Sequence, residues 1–178
     1  EIIMDRIGNR MHSVAPINEP WCVGWLSHFE GAHAPGLRDI RATARAMHHV
    51  LCAHGTAVAR MRSLGMTNLG AVCNFEYANP ADDTAASIAA AGRYDAIYNR
   101  FFMGGIFHKS YPDLALEGLE PHLPKGWDTD FDLISITFSG DGNLCRRFIH
   151  CLRRVHQQVQ EHLTDLRWIH PNQQGFRG

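Results

Sequence analysis

The chain has 178 residues, 45% of them hydrophobic, and a formal net charge of −1 at pH 7. That is enough apolar material for one buried core, and too little net charge to draw the chain to nucleic acid or a membrane surface. No apolar run approaches the roughly 20 residues that span a bilayer, so no membrane is expected. Five cysteines, Cys22, Cys52, Cys73, Cys145 and Cys151, occur without a CxxC spacing. An odd, unpatterned set predicts reduced thiols and a cytoplasmic protein.

Residues 1–11 read as the end of a helix and a turn through Gly8 and Asn9. Residues 12–18 read as a short buried strand. It ends on Asn18-Glu19, and Pro20 stops it. A carboxylate at the C-terminal tip of a buried strand is where a (β/α) barrel carries its catalytic groups. A loop rich in Trp, His, Pro and Gly follows to about Leu37. From Ala42 to Leu64, the apolar positions Thr43, Met47, Val50, Leu51, His54, Val58 and Met61 recur at spacings of three and four, which predicts an amphipathic helix. Gly65 stands where a C-terminal helix glycine belongs.

Leu69 to Phe75 reads as a second strand, apolar on both faces as a buried parallel strand is. Asp82 or Asp83 is expected to cap a helix running to about Phe102 and interrupted by Gly104-Gly105. Pro112-Asp113 starts a short further helix, bounded by Pro121 and Pro124. Strand, helix, strand, helix in that order is a βαβα unit with parallel strands. Beyond it, Leu144, Phe148, Leu152, Val155, Val159, Leu163 and Leu166 form one helical stripe. Arg146, Arg147, Arg153 and Arg154 lie mostly off that stripe, which predicts an Arg-rich amphipathic helix.

The string Asn18-Glu19-Pro20-Trp21-Cys22, continued by Gly31-Ala32-His33, resembles the acid/base segment of family 1 glycoside hydrolases, the β-glucosidase family. Ala46 to Gly55 resembles the helix after that family's fourth barrel strand. Leu69-Gly70-Ala71-Val72-Cys73-Asn74 resembles its fifth strand, and Asn99-Arg100-Phe101-Phe102-Met103 with Tyr111-Pro112 matches a further block. The resemblance covers about Asp5 to Ile134. It implies an α/β fold: part of a (β/α)₈ TIM barrel around its fourth and fifth strands. Residues 1–135 then form the barrel part, and 136–178 form a tail with an amphipathic helix that does not match the family. A complete barrel takes roughly 250 residues, so the chain reads as an internal fragment or truncated form.

By position, the resemblance makes Glu19 the general acid/base of a retaining β-glucosidase and Asn18 the residue that hydrogen-bonds the sugar 2-hydroxyl. The substrate class is β-glucosides, with no cofactor and no metal. The family's nucleophile lies in a Thr-Glu-Asn-Gly segment, which does not occur in this sequence; no nucleophile is therefore expected in this chain. Glu30 and Glu76 are weak substitutes, with Glu76 placed after the second strand. The chain alone is expected to be inactive. The alternative reading is a non-catalytic barrel remnant that binds sugar weakly or self-associates through exposed barrel edges.

Trp21, Trp25 and Phe29 suit sugar stacking or a core. His48, His49, Cys52 and His54 share a helix at ligand-like spacings, as do Cys145, His150, Cys151 and His156. A packed histidine-rich helix is the expected reading of the first set. The tail helix is expected to cover apolar core rather than meet nucleic acid or an acidic partner.

Overall fold

The computed structural model describes residues 2–135, which lie in one compact unit, Glu1–Ile136. The amphipathic stripe of 144–166 and the cysteine and histidine set of 145–156 lie outside the described residues.

Helix α1 (Ile2–Ile7) and a 3₁₀ turn (Gly8–Arg10) lead into an extended segment, 11–19. This segment pairs in parallel with a second one, 68–74. Val14 faces Leu69 and Asn18 faces Val72. Four backbone bonds make the ladder: Val14 N to Asn68 O at 3.0 Å, Gly70 N to Val14 O at 3.0 Å, Val72 N to Ile17 O at 3.1 Å and Glu19 N to Val72 O at 2.8 Å. Between the two bridges the first segment carries one residue more than its partner. Pro16 lies in that stretch, and it has no N–H to give to a ladder. The pairing therefore bulges there and resumes at Ile17, which is 5% exposed.

The expected parallel pair is present, as two bridges rather than as long strands. Burial of the second segment on both faces is not: Val72 is 48% and Phe75 is 44% exposed. Among the described residues helices dominate.

Helix α2 (Ile40–Ser63) is the spine of the unit. Asp39 caps it, its side chain accepting from Arg41 N at 2.7 Å and Ala42 N at 3.1 Å. Thr43, Met47, Leu51, His54 and Val58 are buried, as their spacing predicts. Gly65, at φ +86°, closes the helix. Its N–H reaches Arg62 O, and Met66 N–H reaches Met61 O, the paired bonds of a glycine C-cap.

Two glycines set how close other elements come. A Cβ on Gly24 would lie 2.4 Å from Met47 Cγ, and one on Gly55 would lie 1.8 Å from the Leu133 carbonyl oxygen. The first lets the π-helical turn Cys22–Leu26 rest on α2. The second lets α6 (Phe131–Ile134) cross it in backbone contact.

Thr84, not Asp82 or Asp83, caps α3 (Ala85–Asp95). Asp82 supports it by accepting from Thr84 N and Oγ1. The helix then runs on through a π turn (Ala96–Arg100), α4 (Phe101–Met103) and a second π turn (Gly104–His108). Gly104-Gly105 therefore does not interrupt it. Both glycines are contact points, since a Cβ would lie 2.4 Å from Ser110 O or 2.8 Å from Leu51 Cδ1. Lys109, at φ +54°, is where the chain turns away.

Helix α5 (Asp113–Leu119) and two 3₁₀ turns complete the order. Phe101 and Tyr111 stack at 3.8 Å, and Trp127 and Phe131 pack around Tyr111.

His54 is buried, and neither ring nitrogen has a hydrogen-bond partner among the described residues. Burial pushes it from 6.5 down to about 4. Above pH 6.5 it is neutral folded and unfolded. Below that, the unfolded chain takes a proton that the folded one refuses, so stability falls as pH drops from 6.5 toward 4. The whole shift is on the order of 3 kcal/mol. Urea unfolding of the chain is expected to weaken by up to about 1.4 kcal/mol per pH unit over that window. His54→Leu is expected to flatten the slope; an unchanged slope would remove His54 from the account.

Candidate active site

Glu19 stands at the C-terminal end of the first extended segment, with its amide held by Val72 O. Its φ is +47°, in the left-handed region that few non-glycine residues occupy. The turn that follows, opened by Pro20, brings Cys22 back under it. The Cys22 thiol donates to Glu19 Oε2 at 3.4 Å. Partial burial, then the Glu19 carboxylate, push that thiol up, so it stays protonated and able to donate.

Asn74 ends the second segment beside them. Its amide nitrogen donates to Tyr98 Oη at 2.8 Å and lies 3.7 Å from Cys22 Sγ. Its carbonyl oxygen is buried and has no hydrogen-bond partner among the described residues. Asn18 is exposed, and its side chain makes no hydrogen bond among the described residues. An asparagine thus lies at or next to the end of each segment, Asn18 before Glu19 and Asn74 at the close of the second. The left-handed turn and the bond from Cys22 hold Glu19 in place.

Sequence reasoning singled out Glu19 and Asn18 but not Cys22, Asn74 or Tyr98. Cys22 was legible in principle, since three residues is one helical turn. Asn74 and Tyr98 come from distant positions and carry no local signal.

The two weak candidates for a second carboxylate behave differently. Glu76 accepts a short hydrogen bond from Tyr94 Oη. Its backbone is clamped by Asn99, which accepts from Glu76 N at 3.1 Å and donates to Glu76 O at 2.7 Å. It lines an open cleft of about 460 Å³ with Tyr77, Pro80, Ser87 and Tyr94. Glu30 is exposed, and its carbonyl accepts from Arg38 Nε at 3.1 Å.

Trp21 and Trp25 do share a helical face, 6.2 Å apart. They belong to a longer row: Phe29, Trp25, Trp21, Tyr98 and Tyr94, each ring in contact with the next.

A second polar cluster lies where α2 meets α6. His48, fully buried, places Nδ1 2.8 Å from Tyr111 Oη and Nε2 3.0 Å from Asp130 Oδ2. The carboxylate can only accept, so Nε2 carries the hydrogen and Tyr111 donates to Nδ1. Burial is the larger influence on His48 and lowers it, against the pull of Asp130. Cys52 Sγ is 3.4 Å from Nε2.

The left-handed Glu19 is a stability cost held for position. Glu19→Gly is expected to raise unfolding free energy by about 1 kcal/mol, and Glu19→Val to lower it. Urea denaturation checks both. A fall in stability with glycine would mean that the carboxylate's contacts outweigh the backbone cost.

Residues 1–140 match the profile of glycosyl hydrolase family 1. A β-glucosidase of Agrobacterium sp. is 40% identical over 134 residues, which is 75% of this chain and 29% of that protein. β-Glucosidase A of Thermotoga maritima is 34% identical over 136 residues, 75% of this chain and 30% of its own length. Among solved structures, the family 1 β-glucosidase of Thermotoga maritima superposes with a TM-score of 0.71 at 33% identity, covering 75% of this chain and 30% of that one. The virulence factor SghA of Agrobacterium tumefaciens gives 0.71 at 38% identity, with the same coverage. The chain spans about 30% of the length of these relatives. On sequence and on structure alike, this chain belongs to glycosyl hydrolase family 1.

Proposed function

We propose that this chain carries the proton-donating half of a retaining β-glucosidase site. In this reading Glu19 is the general acid/base, and Asn18 binds the sugar 2-hydroxyl. The support is the pairing of a strand-end carboxylate, fixed by its backbone and by Cys22, with an uncommitted amide beside it.

Retaining hydrolysis needs two carboxyls about 5–5.5 Å apart. One protonates the leaving oxygen. The other attacks the anomeric carbon, and water then releases the sugar with the first group acting as base. The acid stays protonated near neutral pH partly through its negative neighbour. Glu19 supplies the first role. Glu76 is tied to Tyr94, and the sequence holds no Thr-Glu-Asn-Gly segment. The chain alone is therefore inactive on this reading. The substrate is a terminal β-D-glucoside, water is the final acceptor, and no cofactor takes part.

The architecture in this reading is a partial (β/α)₈ barrel around the fourth and fifth strands, over residues 1–135, with 136–178 a separate tail. No helix among the described residues is long and apolar enough to cross a membrane. Cys22, Cys52 and Cys73 are free thiols, which supports a cytoplasmic setting.

A second reading draws on Val72 and Phe75, both nearly half exposed, in or next to a segment whose bridges among the described residues are to the first segment. Such a segment favours association, so a non-catalytic remnant that self-associates or binds sugar weakly also accounts for it. Velocity sedimentation is expected to give dimers or larger species if the remnant self-associates, and a monomer would exclude that arm and leave only weak sugar binding.

Incubation with a chromogenic aryl β-glucoside is expected to give no turnover above background. Turnover that disappears in Glu19→Gln would overturn the claim of inactivity and require a second carboxylate in this chain.

A further inference from the structure

We infer that His48, Cys52 and Asp130 form a binding site for a zinc-class divalent cation, distinct from the carboxylate site at Glu19.

The sequence puts His48 and Cys52 four apart on α2, so they share one face. Asp130 comes from the turn before α6. It reaches them because Gly55, one helical turn past Leu51, lets α6 lie against the α2 backbone; any side chain there would meet Leu133 O. The three ligand atoms, His48 Nε2, Cys52 Sγ and Asp130 Oδ2, lie within 4.8 Å of one another. Nε2 is 3.0 Å from the carboxylate and 3.4 Å from the sulfur.

Tetrahedral ligands at zinc bond lengths of about 2.0–2.3 Å sit about 3.3–3.6 Å apart. The Nε2–oxygen and Nε2–sulfur separations, 3.0 and 3.4 Å, are within a few tenths of an ångström of that spacing, and the sulfur and the carboxylate oxygen lie within 4.8 Å of each other. Imidazole, thiolate and carboxylate together suit zinc or cobalt rather than calcium or magnesium. Tyr111 Oη, 2.8 Å from Nδ1, is the outer partner that fixes the ring, as metal-bound histidines require. The Asp130 side chain is 43% exposed, which gives the ion an entry path and leaves a fourth position for water.

The same geometry argues against a nucleophilic cysteine. Asp130 and Cys52 sit on the same ring nitrogen, where a nucleophile–base–carboxylate chain needs them on opposite ones. Burial, then Asp130, push the Cys52 thiol up to about 11, so little thiolate exists without a cation. On binding, the Cys52 S–H bond gives way to a sulfur–metal bond and one proton leaves to solvent. The imidazole proton moves from Nε2 to Nδ1, where the Tyr111 oxygen accepts it. The ion's two positive charges meet one thiolate and one carboxylate, so no net charge is buried.

The test uses the full chain carrying Cys145→Ser and Cys151→Ser, so that only Cys22, Cys52 and Cys73 remain. Titration with Co²⁺ is expected to give one equivalent with the intense visible bands of tetrahedral cobalt and a thiolate-to-cobalt charge-transfer band. Cys52→Ser is expected to abolish the charge-transfer band. Asp130→Asn, which keeps an acceptor for His48, is expected to weaken Zn²⁺ by about tenfold or more in calorimetry. Circular dichroism checks that each variant keeps its helices. In the unsubstituted chain, Zn²⁺ is expected to slow alkylation of Cys52 and not of Cys22, read by peptide mapping.

Absence of the charge-transfer band, its survival in Cys52→Ser or in urea, or alkylation of Cys52 at an unchanged rate would overturn the inference. The cluster would then be a closed hydrogen-bonded lock between α2 and α6.

Discussion

One backbone hydrogen bond, from Glu19 N to Val72 O at 2.8 Å, ties the carboxylate-bearing end of the first segment to the second. It is the last rung of a short parallel ladder, and it comes after a bulge that Pro16 enforces. Because side chains alternate along an extended strand, a one-residue slip would turn Glu19 to the other face. The bulge, the resumed pairing at Ile17 and the left-handed Glu19 therefore act together to set the direction of one carboxylate. Cys22 and Asn74 then meet around it because each segment ends at the same edge.

That ladder is too short to stand alone. Its support comes from α2, whose buried stripe collects the π turn after Pro20 on one side and α6 on another. Gly24 and Gly55 carry the geometry: each marks a place where even a methyl group would collide, in one case with backbone. The Glu19 edge and the His48 cluster are thus consequences of the same helix, one at each of two close crossings.

Much of this was legible in the sequence, for identifiable reasons. The α2 stripe follows from a 3.6-residue period, and its end from the one residue type that suits a positive φ at Gly65. Asn-Glu-Pro alone is a weak signal; Glu19 stood out because the longer string through Trp21-Cys22 and Gly31-Ala32-His33 resembles the family's acid/base segment. What escaped depended on distant contacts. Gly104 and Gly105 read as an interruption, yet they serve close packing against Ser110 and Leu51 within a continuous helix. The exposure of Val72 contradicts an apolar pattern, because burial depends on neighbours that a strand's own sequence does not name. Asn74 met Tyr98 only through the fold. Asp130 met His48 across 82 positions by the same route.

The central claim is that Glu19 is a proton donor whose attacking partner lies outside this chain. The most direct measurement replaces the matching stretch of the Agrobacterium β-glucosidase with residues 1–134 of this chain and follows aryl β-glucoside hydrolysis. The account predicts an active chimera that Glu19→Ala silences and that added azide, acting as a small external nucleophile, revives. An active chimera indifferent to Glu19→Ala would contradict it.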